Sequence, residues 1–420
     1  MLSHTTLTVV SLALLAVSAP AQAASRKTTS GALARRAPHP LPEPAPAAQG
    51  QHAPLTSNSR RRRSAPAAST STDEPLVKKR DRRSARSHDK RSLHERSNLS
   101  TNPKPRRVPV NPKFAKRSTS SPSTSWSLSQ ASMGGYDFFD DWDWFTWADP
   151  THGWVNYQSE QESWDNGLVY VPDTGRNSTI MRVDSWSNLP YGAMRNSVRI
   201  SSKQKVDIGS LVIADIPRIP YGPTVWPAFW MVGDNWPYGG EIDIIEGVHD
   251  SVQNQYTLHT APGCTLTTPM KASGNVLETN CDAFENFNTG CGVQSSDKQS
   301  YGSAWNAAGG GVYATQFDET GISMWNFLRD NIPSDIVAGK PDPSNWGTPN
   351  ARFDASSCDV SKYFASQNLV FDITLGGDWA GATYNAAGFS GTWQDAIRKG
   401  KNFEQAVWEV NYVKVFTKDS

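Results

Sequence analysis

The feature that most constrains the fold is a series of short strand-like stretches, each rich in Val, Ile, Phe, Tyr or Trp. Clusters of Gly, Pro, Asn and Asp separate them, and no stretch shows a long 3.6-residue period; residues 359–367 fit at best a short helix. The pattern predicts an all-β fold, a β-jelly-roll sandwich of two antiparallel sheets. The stretches are residues 167–171, 196–202, 209–216, 225–232, 241–248, 256–261, 321–328, 368–375 and 406–416.

Charge divides the chain into two regions. Residues 24–117 hold 23 Lys and Arg against 6 Asp and Glu, whereas residues 118–420 hold 18 against 34. The first region consists largely of Pro, Ser, Ala and Arg with few aromatic residues, so it cannot bury enough apolar surface to offset its chain entropy. We expect residues 24–117 to be disordered and residues 125–420, which hold nearly all the aromatic residues, to form one large folded domain.

The first 23 residues have the pattern of a secretory signal peptide. An apolar stretch at residues 7–17 is followed by Pro20 and by Ala21-Gln22-Ala23, a small-x-small cleavage pattern. The alternatives are an uncleaved anchor and an apolar start without a targeting role. We predict a secreted protein, extracellular or in the cell wall, without a membrane span, since no apolar run approaches the roughly 18 residues of a membrane helix.

The basic segment, residues 24–117, has three possible roles. Its run Arg60–Arg63 resembles a nucleic-acid patch, but stacking aromatic residues and a folded scaffold are missing. In a secreted chain the favoured interpretation is a pro-segment that is cut at dibasic sites, namely residues 79–80, 90–91 and 116–117. Electrostatic attachment to an anionic wall or membrane surface is the third. We expect no nucleic-acid partner.

Four cysteines lie in the aromatic-rich region, and in a secreted chain they predict two disulfides with three possible pairings. We favour Cys281–Cys291, which closes a short Asn-rich loop, and Cys264–Cys358, which closes a long one. No Cys/His cluster indicates a metal, so neither a metal nor a cofactor is expected. Asn177 begins an Asn-Ser-Thr sequon and is a candidate glycosylation site.

Residues 239–250, GGEIDIIEGVHD, place three carboxylates on one predicted strand. Side chains alternate faces in a regular strand, so Glu241 and Asp243 share a face while Glu246, five positions on, points away. One extra residue in a β-bulge shifts the alternation by one and brings all three acids to the same face.

Glycoside hydrolysis provides a reason for such a bulge at residues 243–245. The reaction needs one carboxylic acid to protonate the leaving oxygen and one carboxylate at the anomeric carbon. With the bulge, Glu241 and Glu246 are about four steps or 13 Å apart at Cα, and their long side chains can lean together. Asp243 is too short to reach as far and would hold or share a proton with a neighbour. The alternative is an ordinary acidic strand with one solvated acid.

Aromatic and polar residues surround this strand. Trp226, Trp230 and Trp236 precede it and His259 follows it, with Asn254 between the strand and His259. Indole rings stack on the apolar faces of sugar rings, and imidazole and amide groups can bind hydroxyls. A carbohydrate-binding groove fits these residues together with the acids. Core packing is the alternative for the tryptophans and for His259, and for Trp226 it is the favoured one.

Together these motifs resemble the laminarinase-type branch of glycoside hydrolase family 16, in its secreted fungal form. The resemblance covers the chain from about residue 126 to its end, and the ordered series of motifs is far more specific than E-x-D-x-x-E alone. The matching stretches are residues 138–157, 195–202, 226–230, 233–247, 258–264, 289–294 and 371–381.

The resemblance implies a jelly roll with a concave substrate cleft and hydrolysis of β-1,3- or mixed β-1,3/1,4-glucans with retention of configuration. On this basis Glu241 matches the nucleophile, Asp243 the assisting acid and Glu246 the general acid/base. The implied partner is a β-glucan, and we expect a monomer. The implied sugar-binding residues are Trp230, Trp236, His259, Trp379 and Arg199.

The chain departs from the family pattern in its C-terminal part. Related fungal sequences often carry further cysteines where this chain has Gly376, Phe389 and Trp393. The C-terminal loop should therefore lack one disulfide and the restraint that such a link provides.

Three functions compete for this sequence. The leading hypothesis is a secreted endo-β-glucanase. A wall-remodelling transglycosylase would use the same covalent intermediate, but that branch resembles E-x-D-x-E without the extra residue. A non-catalytic glucan-binding module predicts loss of Glu241 or Glu246, and both are present.

Overall fold

A computed structural model describes residues 125–173, 175 and 177–419. The predicted signal peptide, residues 1–23, and the basic segment, residues 24–117, lie outside the described residues. The strands are β1 (Trp126–Met133), β2 (Trp142–Trp144), β3 (Val155–Tyr157), β4 (Val169–Tyr170), β5 (Thr179–Arg182), β6 (Arg195–Ser197), β7 (Arg199–Val206), β8 (Ser210–Ile216), β9 (Val225–Gly233), β10 (Glu241–Glu246), β11 (Gln255–His259), β12 (Asn275–Val276), β13 (Cys291–Gln294), β14 (Gly311–Asp318), β15 (Gly321–Leu328), β16 (Ala351–Asp354), β17 (Gln367–Leu375), β18 (Val407–Val410) and β19 (Tyr412–Lys418).

Two large antiparallel sheets contain most of these strands. One has six strands in the order β1-β19-β8-β14-β15-β16, and the other has eight in the order β12-β13-β11-β10-β9-β17-β7-β2. A three-stranded sheet, β18-β5-β4, and a parallel pair, β3-β6, complete the described strands. The predicted all-β sandwich of antiparallel sheets is confirmed.

The main core lies between the two large sheets. Phe229 and Ile242 from the eight-stranded sheet and Tyr313 and Phe317 from the six-stranded sheet belong to one buried cluster. A second, smaller cluster that includes Trp325 and Trp346 covers part of the other face of the six-stranded sheet. The eight-stranded sheet is thus anchored to the core by one face, and its other face remains for polar residues.

Helices are short in the described part of the chain. The predicted short helix at residues 359–367 is confirmed by α4, and no helix among the described residues is long and apolar enough to cross a membrane. The α-helices are α1 (Glu160–Asp165), α2 (Gly302–Ala307), α3 (Ser334–Val337), α4 (Val360–Tyr363) and α5 (Trp393–Ile397). Short 3₁₀ turns cover Tyr136–Asp141, Asn286–Asn288, Arg329–Asn331, Pro343–Asn345 and Gly400–Phe403, and a π turn covers Gly377–Gly381.

Two disulfides join Cys264 to Cys358 and Cys281 to Cys291, and no described cysteine is free. These are the two pairings that the loop lengths favoured. Asn177 is exposed just before β5, so its side chain is accessible to a glycan; its glycosylation stays a prediction.

The sequence did not reveal β14, although this strand pairs with β8 and β15 inside the six-stranded sheet. Its first residue, Gly311, follows Gly309 and Gly310, which both have positive φ. The glycine run is typical of a turn and concealed the alternating residues behind it.

Candidate active site

Residues directly opposite one another on neighbouring strands share a face of the sheet. In the eight-stranded sheet, Glu246 lies opposite Ala228, Ala228 opposite Asp372, and Asp372 opposite Arg199. In the next row, Asp243 lies opposite Trp230. We call this side, which faces away from the core, the acidic face. It carries Arg199, Trp226, Trp230, Glu241, Asp243, Glu246, His259 and Asp372.

The predicted β-bulge is present in β10. Asp243 pairs with Trp230 and Ile245 with Phe229, so two steps along β10 match a single step along β9. On the other side Asp243 pairs with Thr257 and Glu246 with Gln255. Ile244 is therefore the extra residue, and the bulge returns Glu246 to the face of Glu241 and Asp243. The isoleucines of β10 are buried in the core.

Asn254 holds the bulge together. Its Nδ2 donates to the carbonyl of Ile244 at 2.9 Å, and its Oδ1 accepts the backbone N–H of Glu246 at 3.0 Å. These bonds satisfy backbone groups that the bulge removes from the strand ladder. Asn254 is fully buried, so the hypothesis that it binds sugar hydroxyls is wrong.

Three tryptophans each donate an indole N–H to a carboxylate of the acidic face. Trp236 donates to Glu241 at 2.5 Å and Trp226 to Glu246 at 2.8 Å. Trp230 donates to Asp372 at 3.0 Å. The acids and the predicted sugar-binding residues Trp230 and Trp236 thus form one site, and Trp226 joins them.

The pKa values of both Glu241 and Glu246 are raised above the ordinary value of a glutamate. Burial raises the pKa of Glu241 from 4.5 to about 7, against the opposing effects of the Trp236 indole and the Arg199 charge. Burial also raises the pKa of Glu246 to about 7, and the negative charges of Glu241 and Asp372 add to the rise. At neutral pH the two glutamates are therefore poised to hold about one proton between them.

Asp243 lies between the glutamates and is 2% exposed. Burial, followed by the charges of Glu241, Glu246 and Asp372, raises its pKa well above the ordinary value. Both effects favour the protonated form of Asp243.

His259 packs beside Asp243, with 3.5 Å between Nε2 and Oδ2. Burial lowers the pKa of His259, which favours the neutral ring, and Asn288 fixes its Nδ1 at 2.8 Å. Glu241, Asp243 and His259 each place one donor atom within 4.8 Å of the others, a spacing that suits a divalent ion. Because the pKa values of both acids are raised, protons compete with any such ion for these oxygens.

The other predicted substrate-binding residues flank these acids. The guanidinium of Arg199 lies over the rings of Phe145 and Trp230, at 4.4 and 5.1 Å from their centroids. Trp379, in the π turn, packs edge to face against Trp226 with 5.7 Å between ring centroids. Arg199 thus contacts the Trp230 ring of the site, and Trp379 contacts the Trp226 ring.

Asp372 is the site residue that sequence reasoning missed. It is the single acid in the predicted strand at residues 368–375. Strand alternation places its side chain on the face of the sheet opposite to the face that carries the buried Phe371. Burial raises its pKa to about 7. An isolated acid in an otherwise apolar strand was the available signal.

Aromatic packing replaces the missing disulfide of the C-terminal loop. The Trp393 ring lies directly on Gly376, which has a φ of 71°, so that an added Cβ would overlap the ring. Trp393 also packs edge to face on Trp154, with 5.1 Å between centroids. Phe389 stacks on Tyr384 at 5.1 Å. The loop beside the site is therefore tied down without a further disulfide.

The fold is a jelly-roll sandwich, and the acidic face carries two glutamates that each accept an indole N–H. This combination is typical of carbohydrate-active β-sandwich proteins. Residues 142–416 match the family model described as "XgeA-like, catalytic GH16 domain". The protein belongs to glycoside hydrolase family 16.

Curated relatives support this assignment. The chain is 42% identical over 287 residues to a probable glycosidase of Schizosaccharomyces pombe, covering 67% of each chain. It is 36% identical over 289 residues to an endo-1,3(4)-beta-glucanase of Arthroderma benhamiae, covering 66% of this chain and 62% of that protein. The matched region thus spans about two thirds of the first relative's length and less of the second's.

Two solved structures are similar along their whole lengths. Laminarinase 16A of Phanerochaete chrysosporium, solved with beta-glucans in both donor and acceptor sites, is 36% identical with a TM-score of 0.67. An elongating GH family 16 beta-1,3-glucosyltransferase is 40% identical with a TM-score of 0.65. Each comparison covers 70% of this chain and 100% of the solved chain.

Proposed function

We propose that this protein is a secreted, endo-acting β-glucanase that hydrolyses β-1,3- or mixed β-1,3/1,4-glucans with retention of configuration. The observation that carries the proposal is the bulge at Ile244, which places Glu241, Asp243 and Glu246 on one face. Without the bulge, Glu246 would point into the core and the two glutamates could not act on the same bond.

Glu241 is the nucleophile in this proposal. Its carboxylate attacks the anomeric carbon as the glycosidic C–O bond breaks, and Glu246 transfers its proton to the departing oxygen. Water then gives a proton to Glu246 while its oxygen attacks the anomeric carbon, which frees Glu241. The N–H of Trp236 and the charge of Arg199 favour the ionised form of Glu241, as the nucleophilic role requires.

Glu246 suits the role of proton donor because its environment keeps it protonated near neutral pH. Burial and the negative charges of Glu241 and Asp372 raise its pKa to about 7. Burial and the neighbouring negative charges favour the protonated form of Asp243, which can donate a hydrogen bond to the Glu241 carboxylate when the covalent intermediate breaks down.

The substrate class rests on the aromatic content of the site and on the similar proteins. Trp230, Trp236 and Trp379 offer indole rings beside the acids, and such rings stack on pyranose faces. A laminarinase and an endo-1,3(4)-beta-glucanase are among the similar proteins. Secretion fits the two disulfides, which form in oxidising compartments.

A second candidate function is transfer of the glucosyl group to another glucan. The specific observation in its favour is the 40% identity to an elongating beta-1,3-glucosyltransferase. Hydrolysis and transfer share the covalent intermediate and differ in whether water or a sugar hydroxyl attacks it. We favour hydrolysis because the bulged motif resembles the hydrolase branch.

Incubation of the secreted protein with laminarin, lichenan and chito-oligosaccharides separates these functions. Release of reducing ends from laminarin or lichenan, abolished in Glu241→Gln and Glu246→Gln, supports the glucanase. Oligosaccharides longer than the starting material indicate transfer. Binding of glucan without any product contradicts both.

Proton NMR of the first product tests the stereochemistry, since a retaining enzyme releases the β-anomer before mutarotation. Azide tests the acid/base role of Glu246: a Glu246→Ala variant that forms a β-glycosyl azide supports it. Azide rescue of Glu241→Ala with an α-glycosyl azide tests the nucleophile in the same way. The opposite anomers would reverse the two roles.

A further inference from the structure

His249 is a buried histidine in the turn that follows β10, and the proposed mechanism gives it no role. It is 4% exposed, and its φ of 59° lies in the left-handed region. Its backbone exchanges hydrogen bonds with Gly222 and Val225, which anchor it beside the start of β9. Because buried polar groups are normally satisfied, both ring nitrogens need partners.

Two hydrogen bonds fix the tautomer of the His249 ring. The backbone N–H of Thr224 donates to Nδ1 at 3.1 Å, so Nδ1 carries no proton. On the other side of the ring, Nε2 lies 3.1 Å from the Oγ1 of Thr383. That hydroxyl donates its own proton to the carbonyl of Trp379 at 2.8 Å, so it accepts from Nε2–H. The ring is therefore neutral, with its proton on Nε2.

The surroundings of the ring favour this neutral form. The rings of Tyr384 and Phe389 pack beside it, at 6.1 and 5.3 Å between centroids. Burial lowers the pKa of His249 to about 4, against the opposing effect of a hydrogen bond to the Ala380 backbone. Since the pKa of Glu246 is about 7, the ring keeps its two hydrogen bonds throughout the range in which Glu246 titrates.

These two bonds hold both ends of the π turn Gly377–Gly381. The carbonyl of Thr224 accepts the backbone N–H of Gly376, which directly precedes the turn, at 2.8 Å. Thr383 follows the turn and binds the Trp379 carbonyl inside it. A turn of five residues that is held at both ends leaves Trp379 little freedom.

Trp379 supports the indole that binds the proposed acid/base. Its ring packs edge to face on Trp226 with 5.7 Å between centroids, and the indole N–H of Trp226 donates to the Oε1 of Glu246 at 2.8 Å. With Oε1 accepting this N–H, the proton of the Glu246 carboxyl is carried by Oε2. The orientation of the Trp226 ring thus determines where Glu246 presents its proton.

We infer that His249 is a positioning residue for Glu246, the proposed proton donor. It acts through Thr383, the turn that carries Trp379, and the Trp226 indole. The inference rests on the proposed function and adds to it a residue outside the acidic face. Loss of the bond from Nε2–H frees the turn, and Glu246 then presents its proton to the leaving oxygen less accurately.

Two substrates with different leaving groups separate positioning of Glu246 from a general loss of stability. Cleavage of laminarin needs the Glu246 proton, whereas an aryl laminaribioside with an activated phenol does not. We expect His249→Ala to lower kcat/KM for laminarin about 10-fold, the upper range for one neutral hydrogen bond. For the aryl substrate kcat/KM should change by less than about twofold, because its leaving group departs without a proton. Equal losses on both substrates would mean that the ring only supports the fold, and the inference would be wrong.

Gln and Asn each retain one of the two hydrogen bonds of the ring. The amide N–H of Gln reaches the position of Nε2 and can donate to Thr383, so His249→Gln should keep most of the laminarin activity. The Oδ1 of Asn takes the position of Nδ1 and can accept only from Thr224. His249→Asn should therefore lose as much laminarin activity as His249→Ala. The reverse order would contradict the path through Thr383.

Thr383 tests the same path without a change at His249, should His249→Ala fail to fold. Thr383→Val removes the hydroxyl at nearly constant volume and should reproduce the selective loss on laminarin. Thr383→Ser keeps the hydroxyl and should retain the activity. A Thr383→Val variant with wild-type kcat/KM on laminarin would overturn the inference.

His152→Asn is the matched control. His152 also has a left-handed φ, of 61°, and contacts the same turn through Asp378, with 2.9 Å between Nδ1 and Oδ2. Both of these side chains are exposed, and exposed ion pairs contribute little. The kcat/KM of this variant should therefore stay within about twofold of wild type on both substrates.

Failure of the inference and failure of the proposed function give different results. If the wild-type protein cleaves laminarin and folded His249→Ala cleaves it equally well, the inference is wrong and the proposed function stands. If the folded wild-type protein neither binds nor cleaves laminarin or lichenan, the proposed function fails and the inference fails with it.

Discussion

Asn254 and Glu246 are joined by a hydrogen bond of 3.0 Å from the backbone N–H of Glu246 to the Oδ1 of Asn254. The other half of the same amide donates to Ile244, so one fully buried side chain spans both ends of the irregular step in β10. The position of Glu246 over the acidic face thus depends on a residue that has no access to a substrate.

Replacing Asn254 by Ala should lower kcat more than it raises KM. The substitution leaves a buried carbonyl and a buried N–H without partners, at about 1–3 kcal/mol each, and lets Glu246 shift from its position over the cleaved bond. We expect a 10- to 100-fold loss of kcat, measured by reducing-sugar release from laminarin, together with a lower midpoint in urea unfolding.

The control for this variant is Asn368→Ala. Asn368 lies at another register shift of the same sheet, between β17 and β7, and its Nδ2 donates to the carbonyl of Ser202 at 2.6 Å. Its loss should reduce stability while kcat is retained. Equal losses of kcat in both variants would show that stability, and not the position of Glu246, explains the effect.

Glu246 should determine the alkaline side of the pH–rate profile. Its pKa of about 7 means that the proton needed by the leaving group is lost as the pH rises through neutrality. Glu246→Gln should lower laminarin hydrolysis by a factor of about 10² or more. An aryl laminaribioside with an activated phenol needs no proton donor, so the variant should still release phenol from it, without a decline above pH 7.

Stopped-flow absorbance of the released phenol measures the alkaline side of the pH–rate profile. Glu319→Gln, at an exposed glutamate in the hairpin between β14 and β15, is the control and should keep the wild-type profile. Persistence of the alkaline decline in Glu246→Gln would transfer the acid/base role to another group.

Glu246→Gln should also stabilise the fold at alkaline pH. The folded protein holds the Glu246 proton up to a pKa of about 7, whereas the unfolded chain loses it near 4.5. The stability contributed by this proton is therefore complete below about pH 4.5 and is lost as the pH rises to 7. We expect the variant to gain about 1–3 kcal/mol over wild type at pH 8 and little at pH 4, by urea unfolding. A gain that shrinks as the pH rises would contradict this sign.

Gly376 and Trp393 should show strong coupling. Gly376→Ala introduces a Cβ that overlaps the Trp393 ring and a left-handed φ that is unfavourable for alanine. We expect a loss of about 2–4 kcal/mol. In Gly376→Ala/Trp393→Ala the overlap is gone, so the double variant should be more stable than the sum of the single losses predicts, by urea unfolding. Additive losses would mean that the ring does not hold the loop.

Local patterns predicted the sandwich and the acidic strand well. Strand alternation placed Glu241 and Asp243 on one face, and the requirement that Glu246 join them predicted the bulge that the register shows at Ile244. Loop lengths favoured the two disulfides that are observed. Each of these inferences depends on residues close in sequence or on one chemical requirement.

The remaining features depend on partners that are distant in sequence. Asp372 joins the site through Trp230, 142 residues away, and strand phase alone does not show which strands are neighbours. Asn254 is only eight residues from Glu246, yet its amide could equally have faced a substrate, since sequence does not show burial. Trp393 and Gly376 replace a covalent link by packing, which no local pattern predicts.

The bulge has a consequence for insertions and deletions in this gene. Loss of a single codon at either Ile244 or Ile245 would leave Glu-Ile-Asp-Ile-Glu, in which plain alternation keeps all three acids on one face. Loss of Ile242 would instead make Glu241 and Asp243 adjacent and place them on opposite faces of the strand. The acidic strand thus has two workable lengths, one codon apart, and the longer one needs Asn254 while the shorter one does not.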